Sequence, residues 1–346
     1  MDSGLDLGPV PFERRTASVL DVLLVFAGAN IVTTTLVTGG SVGNAFSWPR
    51  TVLVIVVGTL AGVALLALLA RLGPRFGLPT MILLRQPFGD RGAEAISFLL
   101  LITNFAWIAL NNVIAARALA GIVPGSARSW SVLVGAVAVV VTLFGPRAMA
   151  IFNRAAVPLL LIVGIALTVA IVGGRSGKLD GPGDASLGLL AGLDVVIGYQ
   201  VSWSLMFADY TRFQRAESGA ATAVFLGLAL SSLWLIGLGA AAGRIGGAND
   251  PTAMILGAGL PIAALLLMAL STITTNFVNL YLSALAVRNL WHTAPPRPTV
   301  LLVGAIGTLF GLLSPNLLDQ YAGFMGWIGT SFLPIAAITV VHFFVL

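Results

Sequence analysis

The sequence predicts an all-α membrane protein with about ten transmembrane helices, from its composition and from its pattern of apolar runs. Hydrophobic residues make up 58% of the 346 residues and charged residues only 9%, with a mean hydropathy of +1.01. About a quarter of an ordinary soluble domain is charged, so this composition cannot cover a surface that faces water. The apolar runs are long and continuous, whereas the strands of a transmembrane β-barrel alternate apolar and polar residues.

Ten apolar runs of roughly membrane-spanning length define the predicted helices. In chain order they cover residues 17–40, 51–72, 93–121, 129–145, 150–173, 187–211, 220–244, 259–290, 299–314 and 318–344. Residues 1–16 form a segment before the first helix, and residues 17–346 form the core. The first run has no small-residue cleavage site with a soluble domain behind it, so we predict a retained helix rather than a signal peptide.

The basic residues are concentrated in the loops at one end of the predicted bundle. Of the 18 Lys and Arg residues, twelve lie on the side of the two termini: Arg14, Arg15, Arg71, Arg75, Arg85, Arg91, Arg147, Arg154, Arg212, Arg215, Arg288 and Arg297. The other six are Arg50, Arg117, Arg128, Arg175, Lys178 and Arg244. The positive-inside rule predicts a multi-pass protein of the cell (plasma) membrane with both termini in the cytoplasm. The basic residues that give the net charge of +5 then serve to orient the helices in the membrane, and they do not indicate binding to nucleic acid.

The first and sixth predicted helices contain polar, glycine-rich breaks. The first holds Gly28, Asn30, Thr33, Thr34, Thr35, Thr38, Gly39 and Gly40, and the sixth holds Gly198, Tyr199, Gln200, Ser202, Trp203 and Ser204. Glycine and threonine are also ordinary packing residues in membrane helices. Breaks at the start of each five-helix half, however, indicate a midplane transporter site. Each half has five helices, an odd number, so the second half must cross the membrane in the opposite orientation to the first. This predicts an inverted repeat whose two halves cover about 17–173 and 187–346.

The eighth predicted helix carries a polar cluster in the middle of an apolar run. The stretch STITTNFVN spans residues 271–279 and holds six polar side chains. Back-bonding to the preceding turn accounts for one or two threonines, but six polar groups in hydrocarbon indicate a site. The hydroxyls of Thr274 and Thr275 and the carbonyl of Ser271 offer three oxygen ligands without a carboxylate. Carbonyls freed by the break in the first helix complete a shell that suits a monovalent cation.

One face of the third predicted helix combines an indole with carboxamides. Asn104, Trp107 and Asn111 lie three and four residues apart, so they share that face. A planar ring beside carboxamides suits a flat heterocycle that needs stacking and edge hydrogen bonds. Trp203 in the sixth helix offers an opposing ring. Both tryptophans lie well inside their helices, which disfavours a position in the interfacial aromatic belt.

The remaining reactive groups bear on three alternatives. The chain has no cysteine, no Walker loop and no GxSxG elbow, and its two histidines lie near helix ends, so an intramembrane enzyme is only a remote alternative. Asp194 lies inside the sixth predicted span. A carboxylate at membrane depth is a candidate proton carrier, although capping or an outer vestibule explains it equally well. A receptor or a channel is a third, less favoured class.

Four motifs together resemble the nucleobase:cation symporter-1 (purine–cytosine permease) family, and the bacterial cytosine permease branch most closely. They are TGGSVG after the first break, NFAWIALNN in the third helix, SWSLMFADYTRF in the sixth and STITTN in the eighth. The resemblance covers essentially the whole chain. It implies a 5+5 inverted-repeat, leucine-transporter-like fold with broken helices 1 and 6. It also implies a secondary active transporter that imports a base by alternating access together with a cation, usually sodium.

The resemblance also implies site residues. The sodium ion would be held by the carbonyls of Gly28, Ile31 and Ser271 and the hydroxyls of Thr274 and Thr275. The base would stack between Trp107 and Trp203, and its edge would meet Asn104, Ser202, Asn276 and the backbone near Val32 and Thr33. Apart from sodium as coupling ion, no cofactor and no obligate protein partner is expected.

The sequence departs from the cytosine branch in three respects. Asn104 stands where that branch tends to carry glutamine, and Trp203 where it carries phenylalanine. Cytosine, another pyrimidine, a purine, hydantoin or allantoin, and a thiamin-precursor pyrimidine therefore all stay open as substrates, as does proton coupling. The family usually has two further helices after the core, so we expect a shortened member or a truncated sequence.

Overall fold

The computed structural model describes residues 7–144, 146–175, 179–246, 250–257, 261–314 and 316–346. Within these ranges all regular secondary structure is helical, as the sequence predicts. The α-helices are α1 (Val19–Asn30), α2 (Thr33–Gly43), α3 (Trp48–Ala70), α4 (Leu72–Phe76), α5 (Thr80–Leu83), α6 (Arg85–Ala120), α7 (Ala127–Leu143), α8 (Pro146–Arg175), α9 (Leu189–Val201), α10 (Glu217–Gly246), α11 (Pro251–Gly257), α12 (Pro261–Leu290), α13 (Pro296–Leu313) and α14 (Tyr321–Phe344). Short 3-10 helices include Phe12–Arg14, Ser202–Met206 and Thr211–Phe213.

Seven helical segments of the described residues are long and apolar enough to cross a membrane. They are Trp48–Phe76, Arg85–Ala120, Leu189–Met206, Glu217–Ile245, Leu270–Leu290, Pro296–Leu313 and Tyr321–Phe344. The bent pair α1 and α2 makes an eighth span if it is taken as one. The other two predicted spans fall on α7 and α8, where the apolar stretches Ala127–Leu143 and Pro158–Ile171 are shorter. A helical protein with many spans is confirmed, and the count of ten stays a prediction.

The first predicted helix is divided into α1 and α2, which meet at an angle of 59°. A capping box of Ser18 and Asp21 starts α1. The helix ends because Ile31 (φ −80°, ψ 72°) and Val32 (φ −140°, ψ 164°) are not helical. The last carbonyls of a helix have no partner within it, so the end of α1 presents free oxygen atoms, including that of Gly28, in the interior of the protein.

Two helix boundaries differ from the sequence prediction. The sixth predicted helix, 187–211, is α-helical only as far as Val201, and the 3-10 segment Ser202–Met206 continues the chain. The Ser202 hydroxyl donates to the carbonyl of Tyr199 at 2.7 Å, a local bond that competes with the α-helical ladder. The third helix begins at Arg85 rather than near 93 and is kinked at Gly89, whose φ of 67° glycine adopts without strain.

Close helix contacts hold α2 and α6 in place around the interior. Glycines on α2 let its backbone approach α10, since a Cβ at Gly39 would overlap the carbonyl of Ile236 and one at Gly43 that of Ala240. On the other side, α6 packs against α12 in antiparallel fashion, because Asn104 bonds to Ser283 whereas Asn111 bonds to Asn276. Asn30 and Thr35 on either side of the break bond to Tyr199 in the last turn of α9, and Thr33 lies 2.7 Å from Ser271 of α12, so the break between α1 and α2 lies beside α9 and α12.

Candidate functional site

A slot at the centre of the bundle is lined by the α1–α2 break and by α6, α9, α12 and the 3-10 segment. Its lining residues are Ala29, Val32, Thr34, Leu100, Asn104, Trp107, Tyr199, Ser202, Trp203, Leu205, Met206, Thr275, Val278, Asn279 and Leu282. The atom-free space between them is about 580 Å³, part of it open to solvent. Mostly apolar walls with a few converging polar groups are typical of sites for small organic ligands.

Aromatic rings form the walls of the slot. Trp107 is 8% exposed, and its ring contacts Phe324 edge-on at 5.2 Å and Tyr199 at 6.4 Å between centroids. Trp203 packs against Phe26 at 6.1 Å, with an interplanar angle of 54°. Both predicted tryptophans thus line one slot, and each packs against another ring. Rings fixed in this way offer flat faces to a ligand at little entropic cost.

On the side of α6 and α12, the slot has polar groups that a ligand can reach. The Asn104 amide donates to the Ser283 hydroxyl at 3.0 Å and to the Asn279 carbonyl at 3.4 Å. Both of its N–H groups are therefore engaged, which leaves the Asn104 side-chain oxygen as an acceptor. The Asn279 side-chain nitrogen is buried and has no hydrogen-bond partner within the described part of the chain. One wall thus carries an acceptor and a donor that a ligand can satisfy.

A buried network satisfies the polar groups at the end of α1. The Asn30 amide donates to the hydroxyls of Ser231 and Ser232 on α10, both at 2.7 Å. Its oxygen accepts from the Tyr199 hydroxyl at 2.9 Å, and that hydroxyl also lies 2.6 Å from Thr35. This network ties the break to α9 and α10, so a non-helical backbone is held rigidly in the interior. Non-helical backbone at membrane depth is tolerated where protein surrounds it or it lines a cavity.

The hydroxyl cluster of α12 lies against the same break. Thr274 and Thr275 both donate to the carbonyl of Ser271, at 2.8 and 2.7 Å. The Ser271 hydroxyl is 2.7 Å from that of Thr33, the first residue of α2. All three α12 residues of the predicted cation site therefore converge on one carbonyl next to the end of α1. The donors are hydroxyl and carbonyl oxygens, and no cluster of three His, Cys, Asp or Glu side chains exists among the described residues.

Some of the predicted site residues line the slot and others lie beside it. In the lining are Val32, Asn104, Trp107, Ser202, Trp203 and Thr275. Outside the lining are Gly28, Ile31, Thr33, Ser271, Thr274 and Asn276. Asn276 turns toward α6, where its carboxamide donates to Asn112 at 2.8 Å and accepts from Asn111 at 3.1 Å. A contact of Asn276 with the base stays a prediction, as do the ligand roles of the other residues.

Three polar lining residues, Thr34, Tyr199 and Asn279, are absent from the predicted set. Each belongs to a polar stretch that the sequence does mark, in the first, sixth or eighth predicted helix. The stretch alone does not show which of its members faces the slot, because that depends on how each helix is rotated in the bundle.

The two interior carboxylates lie away from the slot lining. Asp194 on α9 lies against α14, where an added Cβ at Gly326 or Gly329 would come within 3.0 or 2.7 Å of its oxygens. Asp209 follows the apolar span Leu189–Met206 in the motif FADYTRF. Burial raises the pKa of Asp209, while a hydrogen bond from Thr80 and the charge of Arg212 act in the opposite direction.

Comparison with known proteins assigns the chain to a family. A family model described as permeases for cytosine/purines, uracil, thiamine and allantoin matches residues 9–346. The chain belongs to this family. The resemblance seen in the four motifs is thereby confirmed, and the chain is a multi-pass membrane protein of a permease family.

The relatives of the chain are permeases from bacteria and yeast. Cytosine permease of Escherichia coli (strain K12) is 27% identical over 331 residues, which cover 94% of this chain and 77% of the relative. The putative purine-cytosine permease YxlA of Bacillus subtilis (strain 168) is 26% identical over 359 residues, with coverages of 97% and 78%. Purine-cytosine permease FCY21 of Saccharomyces cerevisiae is 28% identical over 323 residues, with coverages of 84% and 60%.

Solved structures establish the fold. The inward-facing conformation of Mhp1 has a TM-score of 0.84 at 20% identity and covers 98% of this chain and 79% of its own. Mhp1, a nucleobase-cation-symport-1 family transporter, in a closed conformation with bromovinylhydantoin bound, has a TM-score of 0.83 at 20% identity, with coverages of 100% and 81%. The permease therefore has a leucine-transporter-like fold.

Proposed function

We propose that this permease imports a planar, nucleobase-like heterocycle, cytosine or a related pyrimidine or purine, together with sodium. One observation carries the proposal: a slot walled by Trp107 and Trp203 lies directly beside an oxygen-rich cluster at a broken helix. Coupling to a sodium gradient that is directed inward gives the proposed transport its inward direction. Ten membrane-spanning helices in two inverted repeats belong to the same proposal.

The slot is suited to a flat, polar ring. Trp107 and Trp203 supply apolar faces for stacking, and the Asn104 oxygen accepts a hydrogen bond from a ring N–H or an exocyclic amine. The unpartnered Asn279 amide donates to a ring nitrogen or a carbonyl. Nucleobases present donors and acceptors on their edges in this way, whereas the ring of a sugar is puckered and an aliphatic amino acid has no flat face.

The proposed sodium site is formed by the end of α1, at the helix break, and by the polar stretch of α12. The free carbonyls at the end of α1 carry the negative end of the helix dipole, which attracts a cation. Ser271, Thr274 and Thr275 add hard oxygen atoms from α12. A hydroxyl that donates its proton keeps two lone pairs on its oxygen, so Thr274 and Thr275 can ligate an ion while they stay bonded to the Ser271 carbonyl.

Thr275 supports coupling between the two ligands. It lines the slot, and its hydroxyl bonds to the Ser271 carbonyl of the proposed sodium site. A sodium ion that orders Thr275 and Val32 also orders one wall of the slot. Binding of one ligand then favours binding of the other, which is the reciprocity that symport needs.

The test is uptake of labelled heterocycles into proteoliposomes, with sodium or potassium gradients of equal size. Cytosine, adenine and hydantoin are compared. We expect uptake of at least one of them to need inward sodium and to fall by about tenfold or more in Thr275→Ala, since a ligand of the ion is lost. Thr142→Ala is the matched control, because it removes one back-bonding hydroxyl (2.7 Å to Ala138) on α7, away from the slot.

Uptake that is equal in sodium and potassium would contradict sodium coupling. The proton-coupled alternative then predicts a different pattern, in which Asp194→Asn abolishes uptake and Thr275→Ala spares it. Asp194 lies outside the slot lining, so the geometry favours the sodium version. Absence of uptake for every heterocycle, with both gradients, would contradict the proposal as a whole.

A further inference from the structure

A second groove lies at one end of the bundle, where α6 ends, α7 begins and α13 ends. Its lining residues are Val113, Ala116, Arg117, Ala127, Arg128, Ser131, Gly311, Leu312 and Asn316. The atom-free space in it is about 490 Å³, part of it open to the surroundings. No residue of the central slot takes part, so this groove is a separate site.

The groove contains a buried hydroxyl that lacks a partner. Ser131 is 4% exposed, and its Oγ forms no hydrogen bond with the described residues. A serine in a membrane helix normally bonds to the carbonyl one turn earlier. Buried polar atoms without a partner are rare and costly, so the Ser131 hydroxyl indicates a ligand that accepts a hydrogen bond.

The charges that surround Ser131 are positive. Arg128 lies one turn before Ser131 on the same face of α7, is exposed, and pairs with no carboxylate in the described ranges. Arg117 lines the opposite wall and forms a loose ion pair of 3.6 Å with Asp250, which is not part of the lining. The start of α7 adds the positive end of a helix dipole. The lining holds no acidic side chain, so the groove is matched to an anion.

Apolar side chains continue from the groove along the membrane-facing surface. Val132 lies one turn beyond Arg128 on α7 and is 48% exposed, and Leu309 lies one turn before Leu312 on α13 and is 54% exposed. An anion that binds here therefore has an apolar surface directly beneath it, on which hydrocarbon chains can lie. A free inorganic anion makes no use of that surface.

We propose that this groove binds the headgroup of an anionic phospholipid. The phosphate accepts hydrogen bonds from the guanidinium groups of Arg128 and Arg117 and from the Ser131 hydroxyl. The Asn316 carboxamide contacts the polar end of the headgroup, and the acyl chains lie along α7 and α13. Two arginines without a lining carboxylate favour a net negative headgroup over a zwitterionic one.

The test uses the purified full-length chain in a neutral detergent. The thermal unfolding midpoint is titrated with dioctanoyl phosphatidylglycerol, with dioctanoyl phosphatidylcholine and with inorganic phosphate at matched ionic strength. A ligand of the folded state raises the midpoint by mass action. The variants are Arg128→Gln and Ser131→Ala, with Arg50→Gln as the control, since Arg50 is also exposed and lies in the first turn of α3, outside the groove.

We expect phosphatidylglycerol to raise the midpoint of the unmodified chain and of Arg50→Gln, with half-saturation at about tenfold higher lipid concentration in Arg128→Gln and Ser131→Ala. Ser131→Ala without lipid should unfold at the same temperature or higher, because it removes an unpartnered buried hydroxyl. Equal titrations in all variants would overturn the site. A full effect of inorganic phosphate or of phosphatidylcholine would overturn the assignment to an anionic lipid.

Discussion

At the scale of single residues, the roles of polar side chains in the slot follow from which of their atoms are already engaged. Both N–H groups of Asn104 are used by Ser283 and the Asn279 carbonyl, so only its oxygen is available to the proposed ligand. The Asn112 amide has a fully structural role, because it bonds to Thr308 at 3.1 Å while its oxygen accepts from Asn276. The proposal therefore assigns different roles to two asparagines on one helix.

Asn104→Ala should weaken binding of the transported heterocycle by about tenfold, the loss expected for one hydrogen bond to a buried ligand. Asn112→Ala, the matched control, should lower the unfolding midpoint and leave the affinity within about twofold, since it lies outside the slot. Equilibrium binding of the labelled heterocycle and thermal unfolding measure the two effects. Equal losses of affinity in both variants would show that Asn104 acts through packing rather than through ligand contact.

How far the sequence predicts the site is clear from Asn276 and Asn279. Both belong to the polar stretch of α12, which the sequence identifies as functional. The two residues are three positions apart, which is nearly a full helical turn. The small difference in direction that remains is enough for Asn276 to bond to α6 while Asn279 lines the slot. Trp107 and Asn104 were predictable because they share a face, whereas Tyr199 lines the slot from the last turn of α9, and the rotation that directs it there cannot be read from the polar stretch.

At the scale of elements, the position of the broken helix depends on the close contact between α2 and α10. Gly39 and Gly43 lie one turn apart on α2, and Gly239 on α10 faces Leu36 in return. Each of these glycines meets backbone atoms of the other helix, so neither side can give way to an added methyl group. The sequence marks Gly39 as part of a break, but the structure places it in a helix interface.

Gly39→Ala should lower stability by about 1–3 kcal/mol, the usual cost of overpacking, because its Cβ would overlap the backbone of Ile236 and Ala240. Gly237→Ala on α10 is the control, since nothing lies within 4 Å of a Cβ there. Thermal unfolding of the purified variants measures the difference. A midpoint for Gly39→Ala equal to that of Gly237→Ala would show that α2 and α10 can separate without cost.

At the scale of the whole molecule, the slot extends toward one end of the bundle and is closed toward the other. Its lining runs from Trp107 back to Leu100 on α6 and from Thr275 on to Leu282 on α12, and both directions lead to the end where α6 begins. Toward the opposite end, the Tyr321 hydroxyl lies 2.6 Å from Thr38, and Phe324 covers Trp107. In the proposed alternating-access cycle, these contacts between α2, α6 and α14 separate in turn.

Tyr321→Phe should therefore shift the population toward the conformation in which the slot is open at the end of the bundle that Tyr321 and Thr38 close, called here the α2 end. The variant loses the short contact with Thr38 and the longer bond of 3.4 Å to the Thr34 carbonyl, and a loss of about 1 kcal/mol changes a two-state population by about fivefold. The chain has no cysteine, so a single Thr34→Cys reporter in the slot can be labelled by a membrane-impermeant maleimide added outside intact cells. If the α2 end is extracellular, as the charge distribution predicts, labelling should be about fivefold faster with Tyr321→Phe.

Tyr281→Phe, near the other end of the slot, is the control and should not accelerate labelling. An unchanged rate with Tyr321→Phe would show that the bond to Thr38 does not hold the slot closed.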